Sequence, residues 1–243
     1  MRRGHVAVVG LALVALAIGP AQPSLPPRPA PPETAFWPPP VLSRERAIAE
    51  AVKVESRGGG AFDSGTGVSV GAHVVLTNEH LTRDPVTRVT RCGDQELEVD
   101  RIERADGADV ALLVTNGPSL LPVALADGDP KPGSAVLLAG YPGGNLALTN
   151  GRVEGTLRLA DGNEVLRFSP QPQIGQSGSP LLDADGRIAG LVYARDEAGG
   201  QGLAIPVSRL RPMIDLARAG GVPVAAGDVG DPAAAPARSS PCR

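Results

Sequence analysis

Between Val52 and Ile205 the apolar residues come in short runs, and nearly every run is closed by a turn signal. The signals are Gly71-Ala72, Asp106-Gly107, Asp127-Gly128-Asp129-Pro130, Pro142-Gly143-Gly144, Asp161-Gly162 and Asp185-Gly186. Such punctuation leaves no room for long helices and favours many short strands. The runs Val68–Val70, Val74–Thr77, Val86–Arg91, Leu97–Ile102 and Val110–Thr115 form a first group. Ala135–Ala139, Arg152–Leu159, Val165–Phe168, Leu181–Leu182, Ile188–Tyr193 and Leu203–Ile205 form a second. Two groups of roughly six strands predict an all-β chain of two antiparallel barrels, joined near Asp127–Gly133. Only 2% of residues are aromatic, so the cores must be built from Val, Leu, Ile and Ala.

Helices are expected only at the margins of this domain. Ser43 is placed to cap a short one running through Ala51. A second follows the last strand, with Ser208 as its cap, Leu210, Ile214 and Ala217 on one face, and Gly220-Gly221 as its stop. Pro212 is expected in its first turn, where a missing N–H costs little.

The ends read as accessory segments around a domain at 42–220. Arg2 and Arg3 precede an apolar run of 13 residues, Val6–Ile18, and then the small-residue pattern Gly19-Pro20-Ala21. Such a run spans about 20 Å as a helix, short of the roughly 30 Å hydrocarbon core. Residues 1–21 are therefore expected to be a removable export signal, with a retained anchor as the alternative. A proline-rich linker is expected at 22–41 and an Ala/Pro-rich tail at 221–243. Export implies a secreted, periplasmic or cell-envelope location. In oxidising surroundings the two cysteines, Cys92 and Cys242, are expected to pair. A net charge of −3 gives no footprint for nucleic acid or anionic lipid. No cofactor or metal is implied, and oligomeric state is not readable.

Three stretches carry chemistry. His80 follows the apolar run Val74–Leu76 in Thr77-Asn78-Glu79-His80, at a strand end. Asp109 stands at the mouth of the strand Val110-Ala111-Leu112-Leu113-Val114, where a carboxylate is costly unless paired. Ser177 lies in Gly175-Gln176-Ser177-Gly178-Ser179-Pro180, whose small flanks permit a tight turn. Such a turn exposes the hydroxyl and aims the Gly175 and Ser177 amides at one point, an oxyanion hole. A serine hydroxyl needs an imidazole to take its proton and a carboxylate to fix the ring, and the three residues supply this set. The lipase-type elbow Gly-x-Ser-x-Gly does not fit, because Ser179 occupies its last glycine position.

The segments Ser64-Gly65-Thr66-Gly67, Leu76–His80, Asp109–Leu112 and Gly175–Leu182 resemble trypsin-like serine proteases, most closely the bacterial HtrA/Deg-like and MarP-like branches. Gly190-Leu191-Val192 and Gly202–Pro206 extend the likeness through the second barrel. The resemblance implies a double-barrel endopeptidase acting on protein or peptide substrates, with His80 as base, Asp109 as orienter and Ser177 as nucleophile. By the same likeness Gln171 forms the floor of the substrate pocket, and Tyr193, Ala194 and Arg195 its wall. A catalytically silent trypsin-like binding module is the alternative. Two positions depart from the family pattern: Ser179 replaces a glycine, and Glu79 adds a charge beside His80. No PDZ-like domain is expected in this chain.

Overall fold

The computed structural model describes residues 50–58, 61–91, 95–196 and 199–225. The export signal, the proline-rich linker, most of the tail, and both Cys92 and Cys242 lie outside the described residues. Six strands close the first barrel: β1 (Ala51–Gly58), β2 (Ala61–Gly71), β3 (Val74–Thr77), β4 (Val86–Arg91), β5 (Gln95–Arg104) and β6 (Ala111–Asn116). Their order around it is β1-β2-β3-β6-β5-β4. The second barrel contains β7 (Ala135–Gly140), β8 (Ala147–Arg158), β9 (Glu164–Ser169), β10 (Pro180–Leu182), β11 (Ile188–Asp196) and β12 (Gln201–Pro206). It closes in the order β10-β11-β12-β9-β8-β7. Helix α1 (Val207–Ala219) follows directly.

Alternation explains why several runs are apolar throughout. Neighbouring residues of a strand face opposite sides of the sheet. Val75 and Leu113 point into the first barrel, beside Val54, Val89 and Leu97. Their neighbours Leu76 and Leu112 face outward into a cluster shared with Leu137, Leu182 and Leu191 of the second barrel. Both faces of β3 are thus buried, and its first three residues are all apolar. The interior of the second barrel is filled by Val136, Leu138, Val153, Leu166, Phe168 and Leu181.

Three features differ from the sequence expectation. Glu50 is helical, but Ala51 already opens strand β1, whose alternating Val52, Val54 and Ser56 are buried. The rest of the helix expected from Ser43 lies outside the described residues. Helix α1 begins earlier than expected, and Pro206 rather than Ser208 occupies its cap position, without a side-chain bond. Ser208 instead donates its amide and hydroxyl to the Asp129 carboxylate, at 2.9 and 2.7 Å, so the helix start is satisfied from a distant loop. Pro212 consequently lies inside the helix, where the missing N–H leaves the Ser208 carbonyl without its helical donor. Finally, the chain after Gly221 continues as packed structure. Val222 and Val224 are buried, and the Ala225 amide donates to the Val70 carbonyl of β2 at 3.0 Å.

One buried residue of β2 ties the barrels together where the site forms. The Thr66 hydroxyl donates to the Gly175 carbonyl at 2.8 Å and accepts from the Tyr141 amide at 3.0 Å. Its backbone N–H donates to the Ser177 carbonyl at 2.7 Å, and its carbonyl accepts from the Thr77 hydroxyl at 2.7 Å. Thr66→Val keeps the shape but strands two buried backbone groups, at about 1–3 kcal/mol each. Chemical denaturation should show a loss of roughly 2–5 kcal/mol for Thr66→Val and a much smaller one for Thr66→Ser.

Candidate active site

His80 is carried by a single 3-10 turn, Glu79–Thr82, directly after β3. That turn is held from several sides. The His80 amide donates to Asp109 Oδ1 at 2.9 Å, and Asn78 Nδ2 donates to the Asp109 carbonyl at 2.8 Å. Arg104 of β5 reaches Thr82 through both the backbone carbonyl and the hydroxyl. His80 Nδ1 lies 2.7 Å from Asp109 Oδ2. Asp109 thus grips the backbone of His80 with one oxygen and its ring with the other. This two-point hold fixes the ring and favours the tautomer carrying its proton on Nδ1.

Burial pushes the Asp109 carboxyl upward, but the His80 hydrogen bonds and the charges of His80 and Arg83 outweigh it, leaving its pKa below the usual carboxylate range. Glu79 does not leave a bare charge beside His80. Its carboxylate takes two bonds from Arg83, at 2.9 and 2.6 Å, and lies 3.9 Å from Arg104.

Ser177 sits in the loop between β9 and β10, and two glycines make its turn feasible. Gly175 and Gly178 have φ of +96° and +80°, where other residues are strained. A side chain on Gly178 would also strike the Thr66 carbonyl, with a Cβ only 1.9 Å away. Around Ser177 the backbone groups are almost all engaged. The Gln176 amide donates to Gln173, the Gly178 amide to Val192 and the Ser179 amide to Gln176. Ile174, Gly175, Gln176 and Ser177 all have bonded carbonyls. Among the described residues the Gly175 and Ser177 amides alone, from 175 to 179, have no protein acceptor. They are the two donors expected from the sequence to face an oxyanion.

His80 and Ser177 line one cleft of about 230 Å³ between the barrels. No hydrogen bond joins their side chains among the described residues, an arrangement common before substrate tightens such a site. Of the expected pocket residues, Ala194 and Arg195 line this cleft. Gln171 and Tyr193 are not among the residues that line it. Gln171 Nε2 donates to the Asp196 carbonyl at 3.3 Å, and Tyr193 packs against the cluster between the barrels. Burial raises the Tyr193 hydroxyl pKa, with Asp161 and Asp109 adding to the effect. Asp63, Leu81, Pro172, Gln173, Ile174 and Val192 also line the cleft, at positions that no sequence motif marks. A larger hollow of about 570 Å³ lies between α1 and β5–β6, but it contains none of the three residues. The departure at Ser179 is also accommodated. Its buried hydroxyl fills the space that a Cβ on Gly140 would take, 2.1 Å away, although it finds no hydrogen-bond partner among the described residues.

No metal-binding cluster of His, Cys, Asp or Glu exists among the described residues, and none of their helices is long and apolar enough to cross a membrane. Two closed antiparallel barrels with a His–Asp pair and a glycine-flanked serine in the cleft between them define the class of trypsin-like peptidases. Residues 65–191 match the model of the trypsin-like peptidase domain, and the chain belongs to that family. Among curated proteins it is 28% identical over 140 residues to the serine protease Rv3671c of Mycobacterium tuberculosis, covering 53% of this chain and 35% of that protein. It is 30% identical over 192 residues to a probable periplasmic DegP-like serine endoprotease of Pseudomonas fulva, covering 73% of this chain and 40% of that protein. The matches therefore span well under half the length of these relatives. The fold is shared with the active form of the M. tuberculosis Rv3671c protease at a TM-score of 0.65 and 24% identity, over 74% of this chain and 87% of that one.

The depressed Asp109 pKa has a consequence for stability. A carboxyl held below its unfolded value, about 3.9 for aspartate, stabilises the fold above that value. The contribution is lost as pH falls through the folded pKa. Denaturant titrations below about pH 4 should show Asp109→Asn losing less stability with acid than the wild type.

Proposed function

We propose that this chain is an exported serine endopeptidase that hydrolyses peptide bonds through an acyl-enzyme. The observation that carries the reading is the His80–Asp109 pair at 2.7 Å, in one cleft with a serine whose own amide and that of Gly175 are left open. In this reading His80 Nε2 takes the proton of the Ser177 hydroxyl as its oxygen attacks the scissile carbonyl. The Gly175 and Ser177 amides receive the oxyanion, while Asp109 holds the charged imidazolium. His80 then gives the proton to the leaving amine, and an ester remains on Ser177. Water, deprotonated by His80, attacks the ester and regenerates the serine.

The cleft wall supports a preference unlike trypsin's. Val192, Ala194 and Pro172 are small or apolar, and among the described residues the one carboxylate lining the cleft is Asp63, on the first barrel. Small apolar P1 residues are the expected class, and profiling on a peptide library checks it. A strong preference for Lys or Arg would overturn this part of the reading.

Export is supported by the N-terminal sequence and by the periplasmic relatives. Protein recovered outside the cytoplasm should begin near Gln22 and take a fluorophosphonate label. Ser177→Ala should abolish labelling and lower kcat by about a million-fold, and Asp109→Asn by about four orders of magnitude. Labelling that survives Ser177→Ala would move the nucleophile elsewhere. A folded, processed wild type that takes no label would favour the silent binding module.

A further inference from the structure

Gln176, the residue before the nucleophile, has its carboxamide turned inward, and the chemistry proposed above gives that side chain no part. The residue is 1% exposed. Its backbone N–H donates to the Gln173 carbonyl at 3.0 Å, and its side-chain Oε1 accepts from the Gln173 N–H at 2.8 Å. One residue therefore holds both backbone groups of another, closing the turn 173–176 from both ends. The other side-chain atom, Nε2, reaches the Thr149 hydroxyl of β8 at 3.5 Å. Ile174 and Gly175 are the two residues enclosed. Ile174 is 77% exposed, so packing of its side chain does little to hold the turn.

We propose that Gln176 is a positioning residue for the oxyanion hole: its carboxamide, by holding Gln173, keeps the Gly175 amide aimed at the developing charge. The inference rests on the functional reading above. The Gly175 N–H belongs to the peptide that joins it to Ile174, so its direction is set by that peptide's plane. The plane is fixed downstream by Thr66 on the Gly175 carbonyl and, across the loop, by Gly143 on the Ile174 carbonyl at 3.3 Å. Upstream, the Gln176 carboxamide holds the turn. Without that acceptor, the Gln173 N–H loses its partner and the turn can open toward solvent, since Gln173 and Ile174 are both exposed. An oxyanion donor acts only when it is aligned in advance, so a small rotation of the peptide acts on turnover more than on substrate binding.

The test compares Gln176→Met, which keeps the bulk but not the acceptor, with Gln176→Glu, which restores an acceptor oxygen. Gln176→Met should lower kcat about ten- to a hundred-fold, with KM changed less than about three-fold. A peptide boronic acid, whose adduct places an oxygen in the hole, should bind this variant more weakly in proportion. Gln176→Glu should recover most of both losses. In the wild type, the Gln173 amide should exchange slowly with solvent although the residue is exposed, a readout that needs no variant to fold. Rapid exchange there, a folded Gln176→Met with wild-type kcat, or equal losses in both variants would each overturn the inference. A wild type inert toward peptides and fluorophosphonate would overturn the functional reading and this inference with it. Turnover by the wild type beside an unaffected Gln176→Met would overturn this inference alone.

Discussion

The hydroxyl of Thr66 is the contact on which the geometry of the cleft depends. A trypsin-like site draws its base and its nucleophile from different barrels, so something must set the distance between them. Thr66 does so with four hydrogen bonds: to Gly175 and Ser177 in the nucleophile loop, to Tyr141 after β7, and to Thr77 at the end of the strand that leads to His80. It is wholly buried, so these bonds do not compete with water. The glycines around it follow from the same closeness. Gly178 has no space for a side chain because the Thr66 carbonyl is already there, and a Cβ on Gly65 would lie 2.8 Å from the Ser177 carbonyl.

Each carboxylate beside His80 has a partner. Asp109 pairs with His80, and Glu79 pairs with Arg83 and Arg104. A half-buried carboxylate would otherwise repel its neighbours and resist ionisation. Here burial alone would raise the Asp109 pKa, and the ring and backbone of His80 reverse that tendency. The charge that Glu79 adds next to the histidine is absorbed one helical turn later by Arg83. It serves the local turn and leaves the imidazole's own partner unchallenged.

Much of this was readable in the chain because the signals are local. The His80, Asp109 and Ser177 segments each carry their own strand-end or turn chemistry, and the barrels are marked by the spacing of apolar runs. What escaped depends on distant residues. The start of α1 is capped by Asp129, 79 positions away, so no neighbouring residue advertises it. Strand β1 alternates Val52 and Val54 with Lys53 and Glu55, and its buried Ser56 hides the pattern. Tyr193 is a matter of register. It sits at the bulge where β11 shifts against β12 between Val192 and Ala194, so simple alternation does not place it. It packs against the cluster between the barrels.

The short stretch after α1 has a wider meaning. The helix leaves the second barrel, yet Val222 and Val224 bury themselves in the cluster between the barrels, and Ala225 bonds to β2 of the first. Residues 222–225 thus clasp the first barrel to the second. With Leu210 and Ile214 in the same cluster, each barrel would lose the cover of its outer apolar face if the other melted. The pair is therefore bound into one unit, and a graft or truncation made at the glycines that end the helix would cut into it.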